Sequence, residues 1–114
     1  MTLTAAPILE TERLRIRGPE SRDAEAVIAF LMDQERADLF GSYDNRGDAW
    51  RWFAMNVGHW HIRGHGYFVI ADKQTDEAVG LCGIWCPEGW PEPEIGWVVF
   101  EGHEGKGLAY EAAL

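Results

Sequence analysis

Three β-rich segments joined by short links narrow the fold of this chain more than any other feature. Tyr67-Phe68-Val69-Ile70-Ala71 is the first, and a polar turn crosses Lys73 to Glu77. The second strand runs from Ala78 to Cys86 and is closed by Pro87, Gly89 and Pro91; Glu94-Ile95-Gly96-Trp97-Val98-Val99-Phe100 is the third. Links this short join antiparallel neighbours, so the three strands form a meander. Upstream, Leu14 and Ile16 alternate with Arg13, Arg15 and Arg17, the period of a half-buried strand that Gly18-Pro19 ends. Ser21 is placed to cap a helix carrying Asp23 and Glu25 in its first turn. Ala24, Val27, Ile28 and Leu31 give that helix one apolar face as far as about Met32. After a loop over residues 41–47, a second helix is expected from Asp48 to near Arg63. Its buried stripe would be Trp50, Phe53, Ala54, Val57 and Trp60, with Gly64 and Gly66 stopping it. A last helix opens near Leu108, which makes the order β-α-α-β-β-β-α.

The chain has 114 residues, enough for one domain, and its 46% hydrophobic and 25% charged content is that of a globular protein. Ten Lys and Arg against nineteen Asp and Glu leave a net charge of −9, which repels phosphate backbones and argues against nucleic acid as a partner. Residues 1–7 show neither the basic nor the apolar region of a signal peptide, and no apolar run approaches the ~20 residues of a membrane span. The expected location is the cytoplasm, with no membrane partner. Six tryptophans either fill the core or line a cleft. Cys82 and Cys86 would stand roughly 13 Å apart on one strand at about 3.3 Å per residue, beyond the ~7 Å limit of a disulfide, and are expected as buried free thiols.

Glu104-Gly105-Lys106-Gly107-Leu108-Ala109 joins the third strand of the meander to the last helix. Two glycines allow a tight turn and close backbone approach, and free N–H groups at a helix start attract anions, with Lys106 adding a mobile positive charge. The segment is either a phosphate or pyrophosphate cradle or an ordinary strand-to-helix turn. A P-loop is excluded, because Phe100 occupies the first glycine position and Gly107 replaces the Ser or Thr. A dinucleotide fingerprint is excluded as well, because Tyr110 occupies its third glycine and the preceding strands form a meander.

The segment resembles the coenzyme A signature of the GNAT acyltransferase superfamily, Q/R-x-x-G-x-G/A, through Gly107 and Ala109, with Glu104 departing at the Q/R position. Leu9-Glu10-Thr11-Glu12-Arg13-Leu14 is similar to the opening of the RimJ/RimL-type branch, Glu94-Ile95-Gly96-Trp97 to its fourth strand, and Gly107-Leu108-Ala109 with Glu111-Ala112 to its third helix. The resemblance implies an α+β, three-layer α/β/α GNAT fold with a mixed, mostly antiparallel sheet. It also implies that residues 1–114 are a single partial domain lacking a C-terminal β-α-β-β, some 40–60 residues at usual element lengths.

The function implied is transfer of an acetyl group from acetyl-coenzyme A to a primary amine, on a protein N-terminus or a small molecule. Trp97, Val98 and Val99 match the strand that lies against the pantetheine arm, and Glu104, Gly105, Lys106, Gly107, Leu108 and Ala109 match the pyrophosphate site. Glu94 matches a position where some relatives carry a general base; it is equally readable as a solvated strand end, and Glu92 is a weaker candidate. Tyr110 lies in the third helix and does not match the family's leaving-group acid. No metal is implied, and His59, His61 and His65 do not share one helical face. Trp85, Trp90 and Trp97 wall an acceptor pocket or pack the core. Two other readings stay open: a non-catalytic coenzyme A-binding or regulatory domain, which Glu104 favours, and a truncated interaction module. The 114 residues alone are expected to be inactive, and to associate with a second copy or with a segment supplying the missing part.

Overall fold

The computed structural model describes residues 6–33, 37, 40 and 42–100. Five strands form one sheet in sequence order: β1 (Leu9–Glu10), β2 (Leu14–Arg17), β3 (Tyr67–Asp72), β4 (Ala78–Trp85) and β5 (Glu94–Val99). Every neighbouring pair is antiparallel, which is the expected meander. β1 was not anticipated as a strand of its own. It pairs Leu9 with Ile16 and Glu10 with Arg15, and two residues are too short to show a period. Because of it, the strand matched as the fourth in the resemblance is β5 here.

A single 3-10 turn, Ser21–Asp23, leads into α1 (Ala24–Leu31), and α2 spans Arg46–Arg63. Ser21 is not the cap. Glu20 and Asp23 form a reciprocal capping box, in which the Asp23 carboxylate accepts from the Glu20 N–H at 2.7 Å. The same carboxylate corrects the reading of the first strand. Arg17 does face away from Leu14 and Ile16, but that face is covered, leaving Arg17 only 2% exposed. Its guanidinium donates to the two Asp23 oxygens at 2.8 and 2.9 Å and to Asp76 at 3.1 Å. Burial alone would lower the Arg17 pKa, and hydrogen bonds and charge from Asp23 and Asp76 override it and raise the value.

The stripe of α2 also needs correction. Ala49, Trp52, Phe53, Asn56, His59 and Trp60 are buried, while Trp50 is 56% exposed. An apolar-only reading rotates the stripe, because two of its true members are polar. Asn45 caps the helix by accepting from the Asp48 N–H at 2.9 Å, and Gly64 ends it at φ 79°, a conformation glycine adopts without penalty.

The sheet has a core on each face. Val69, Leu81, Trp85 and Phe100 pack with Val27, Phe30 and Leu31 of α1 and Trp52 and Phe53 of α2, whereas Leu14, Ile16, Ile70 and Val79 pack on the opposite side. Cys82 lies in β4, while Cys86 falls just past its end; both are free and half-buried instead of fully buried. Burial pushes the Cys82 thiol up to about 11. The helix expected from Leu108 lies outside the described residues.

Candidate functional site

β5 alternates its side chains across the two faces of the sheet. Val98 and Phe100 join the core under the helices, and Val99 joins the opposite core. By the same period Glu94 and Gly96 belong to the helix side and Ile95 and Trp97 to the other. Glu94 therefore stands at the rim of a cavity of about 500 Å³ between α2, the residues before it and the β4–β5 connection. Phe40, Tyr43, Trp52, Tyr67, Trp85 and Trp90 are its aromatic lining.

The rings brace one another. Trp52 stacks on Trp85 with centroids 5.2 Å apart, and Tyr67 lies 5.2 Å from Trp85 and 5.1 Å from Phe40. Behind Trp85, His59 stacks at 4.6 Å. Its Nδ1–H donates to the His65 carbonyl at 2.6 Å, so its Nε2 is the acceptor for the Cys86 N–H at 3.0 Å. These bonds fasten the end of α2 to the segment that carries Trp85. With both ring nitrogens engaged by backbone, His59 works as a brace for the wall. Among the described residues no group of three or more His, Cys, Asp or Glu could hold a metal ion.

Tyr67 is the buried floor of the cavity. In the β2–β3 register Arg17 pairs with Val69, so Tyr67 would come opposite Pro19, which has no N–H to donate. The Asn56 carboxamide takes that place. Its oxygen accepts from the Tyr67 N–H at 2.9 Å, and its nitrogen donates to the Tyr67 carbonyl at 3.0 Å, where the Trp60 indole N–H also donates at 3.0 Å. Burial first, and then the charge of Glu94, push the Tyr67 phenol up to about 12, so it stays protonated at neutral pH. Its hydroxyl lies over Gly96: a Cβ built there would be 3.0 Å from the Tyr67 oxygen. Sequence reasoning missed Asn56, His59 and Tyr67. The available signal was two polar residues at helical spacing inside an apolar stripe.

The far edge of β5 is open among the described residues. Phe100 N–H donates to the Val79 carbonyl at 2.8 Å. Antiparallel alternation then turns the backbone groups of Gly96 and Val98 toward β4 and those of Ile95, Trp97 and Val99 outward. An extended amide-bearing ligand could pair with Trp97 and Val99 along this edge. The Trp97 side chain, 53% exposed, lies on the face opposite the cavity, so Trp85 and Trp90 wall the cavity and Trp97 does not. Glu92 is exposed and is not among the lining residues. Glu104, Gly105, Lys106, Gly107, Leu108 and Ala109 lie outside the described residues.

Residues 13–114 match the acetyltransferase (GNAT) domain family. The chain is 29% identical over 114 residues to YkkB of Bacillus subtilis (strain 168), covering 97% of this chain and 66% of YkkB. Among solved structures, it superimposes on the acetyltransferase from Agrobacterium tumefaciens str. C58 with a TM-score of 0.81 and 38% identity, over 94% of this chain and 62% of that one. A ribosomal-protein-serine acetyltransferase structure from Vibrio cholerae, itself a putative assignment, aligns at TM-score 0.71 and 18% identity, over 99% and 64% of the two chains. The chain thus spans a little under two thirds of the length of these relatives.

Proposed function

The chain belongs to the GNAT acetyltransferase domain family, and from that premise we propose that it transfers an acetyl group from acetyl-coenzyme A to a primary amine. The observation that carries this reading is Glu94: a carboxylate at the rim of an aromatic-lined cavity, on the same strand whose outer edge is open among the described residues. Trp97 and Val99 would pair with the amide-bearing arm of the donor, and the N–H of Val99 would stabilise the oxyanion that forms on the thioester carbonyl. The 104–109 segment is assigned to the pyrophosphate on its sequence. Glu94 takes the ammonium proton, directly or through water, and frees the nitrogen lone pair. The nitrogen attacks the thioester carbon, the new C–N bond replaces the C–S bond, and the second amine proton leaves with the thiol. Placement against the donor supplies much of the rate.

Within the family we assign the chain to the RimJ/RimL-type branch on its opening segment and Glu94-Ile95-Gly96-Trp97, with residues 1–114 as part of a single domain. A cytoplasmic setting agrees with two cysteines kept as free thiols. No described helix is long and apolar enough to cross a membrane. The test is thiol release from acetyl-coenzyme A with a panel of primary amines. Glu94→Gln should lower kcat by about 10²–10⁴-fold while coenzyme A binding, read by calorimetry, is unchanged. Full activity in Glu94→Gln would refute its role as base. Coenzyme A binding without turnover of any amine would favour the regulatory reading that Glu104 motivates.

A further inference from the structure

Tyr67 is held by the fold everywhere except at its hydroxyl. Asn56 and Trp60 bind its backbone N–H and carbonyl. Its ring is wedged with centroids 5.1–5.8 Å from those of Phe40, Trp52 and Trp85. In the strand register Tyr67 pairs with Gly83, and Gly83 pairs with Gly96. This row across three strands therefore carries a single side chain. The phenol reaches along it over β4, and its oxygen ends over β5, 3.0 Å from where a Gly96 Cβ would stand. A buried tyrosine hydroxyl usually finds a hydrogen-bond partner; among the described residues this one has none. A phenylalanine would fill the same space in the wall, so packing gives the oxygen nothing to do. Glu94 lies two residues before Gly96, on the same face of β5. It lines the same cavity as Tyr67, and among the described residues its carboxylate has no partner either. Its charge is the second cause, after burial, of the raised phenol pKa, which leaves the hydroxyl protonated at neutral pH.

We propose, resting on the amine-acetylation reading above, that Tyr67 is a second catalytic residue: its hydroxyl oxygen accepts one N–H of the acceptor amine while Glu94 takes a proton from the same nitrogen. Two fixed contacts on one nitrogen set the direction of its lone pair, which is left to aim at the outer edge of β5, where the thioester lies. The oxygen is already in place before the amine arrives, because the ring and the backbone of Tyr67 are both immobilised, so little ordering remains for the bound state. Tyr67 itself gains and loses no proton. The first proton passes from the ammonium to Glu94, the C–N bond replaces the C–S bond, and the second amine proton leaves with the thiol.

Tyr67→Phe removes the oxygen and keeps the ring. The assay is thiol release from acetyl-coenzyme A by the full chain, with the panel amine that the wild type uses fastest. The variant should lose about 10–100-fold in kcat, the worth of one hydrogen bond to a charged group, with the KM for the amine within about 3-fold of wild type. Coenzyme A affinity by calorimetry and the urea midpoint should not change. The pH profile of kcat should keep its wild-type shape at lower amplitude, whereas Glu94→Gln, which removes the base, should change the shape. Wild-type kcat in Tyr67→Phe overturns the proposal and leaves acetyl transfer with Glu94 as base standing. A profile that loses its alkaline limb makes Tyr67 a proton donor and overturns the proposal too. So does a fall in kcat accompanied by a matching loss of stability or of coenzyme A affinity, which reduces Tyr67 to a part of the wall. Coenzyme A binding by the wild type without turnover of any panel amine removes the parent reading, and this role with it.

Discussion

Replacing Asn56 tests whether one carboxamide fixes the cavity floor. Asn56 is 1% exposed and makes two hydrogen bonds to the backbone of Tyr67, at 2.9 and 3.0 Å. Leucine has the same branching and number of side-chain heavy atoms and a better helix propensity, though it is bulkier, so Asn56→Leu removes the bonds while keeping the branch point. The Tyr67 carbonyl keeps the Trp60 indole as a donor at 3.0 Å. The Tyr67 N–H keeps nothing, and a buried donor left unsatisfied costs about 1–3 kcal/mol. Adding about 1 kcal/mol for the lost bond to the carbonyl, the expected destabilisation is roughly 2–4 kcal/mol, out of the ~5–15 kcal/mol typical of a domain. At ~4 °C per kcal/mol the melting temperature should drop by about 8–16 °C.

Asn56→Asp sharpens the argument through its pH dependence. One carboxylate oxygen can still accept from the Tyr67 N–H, but the other then faces the Tyr67 carbonyl, so burial and that carbonyl raise the folded-state pKa above its unfolded value. For an acid with a raised folded pKa the penalty is full at pH above that value, and it disappears as pH falls toward the unfolded one. Asn56→Asp should therefore be markedly destabilised at pH 8 and recover on acidification, whereas Asn56→Leu should show a pH-independent loss. Urea denaturation of both variants across pH 5–8 is the assay. Wild-type stability of Asn56→Asp at pH 8 would refute the bridging role.

Further outcomes are expected at five other positions. Asp23→Ala leaves the Arg17 guanidinium buried with only part of its partnership and should cost about 3–5 kcal/mol in urea denaturation. The Asp76 carboxyl, which burial would raise but hydrogen bonds from Arg17 and Arg22 hold below 3.8, contributes stability that is present above 3.8 and lost as pH falls through its depressed value; Asp76→Asn should flatten that acid limb. Gly96→Ala puts a methyl 3.0 Å from the Tyr67 hydroxyl and should raise the KM for amine, and adding Tyr67→Phe should relieve the contact, since the next ring atoms are 3.7 and 3.8 Å away. Gly107→Val should abolish coenzyme A binding by blocking backbone approach, and Glu104→Gln should tighten it, most visibly at low salt.

The meander was legible because strand period and turn chemistry are local properties: Tyr67 to Ala71, the 73–77 turn and Glu94 to Val99 each announce themselves within a few residues. What the sequence hid was long-range. Nothing near Arg17 says that Asp76, 59 positions away, will help bury it. Asn56 and His59 look like solvent positions until the backbone groups of Tyr67, His65 and Cys86 arrive to satisfy them. Glu94 was legible as a candidate base through resemblance, whereas the rings around it come from four separate stretches of chain. Trp52 was passed over in favour of Trp50 for the same reason: counting apolar letters cannot find a stripe whose polar members are paid for by distant backbone.

The position of Glu94 then depends on residues that carry no chemistry. A slip of β5 by one residue would carry Glu94 to the opposite face of the sheet and bring Ile95 to the cavity. The neighbouring strand resists that slip. A Cβ built on Gly80 of β4 would stand 2.3 Å from the Val98 carbonyl oxygen, and one built on Gly83 would stand 2.1 Å from the Gly66 carbonyl oxygen. β4 can lie this close to β5 on one side and to the start of β3 on the other only because both positions lack a side chain. The β3–β4 register also shifts between Ile70 and Ala71, so that Ala78 and Leu81, an odd number of positions apart, both join the core under the helices. Downstream of that irregularity Leu81 opposes Val98 and Trp85 opposes Glu94, each pair on the helix side. The candidate base and the backbone edge at Trp97 and Val99, open among the described residues, are therefore set in phase by two glycines and a bulge on the strands beside them.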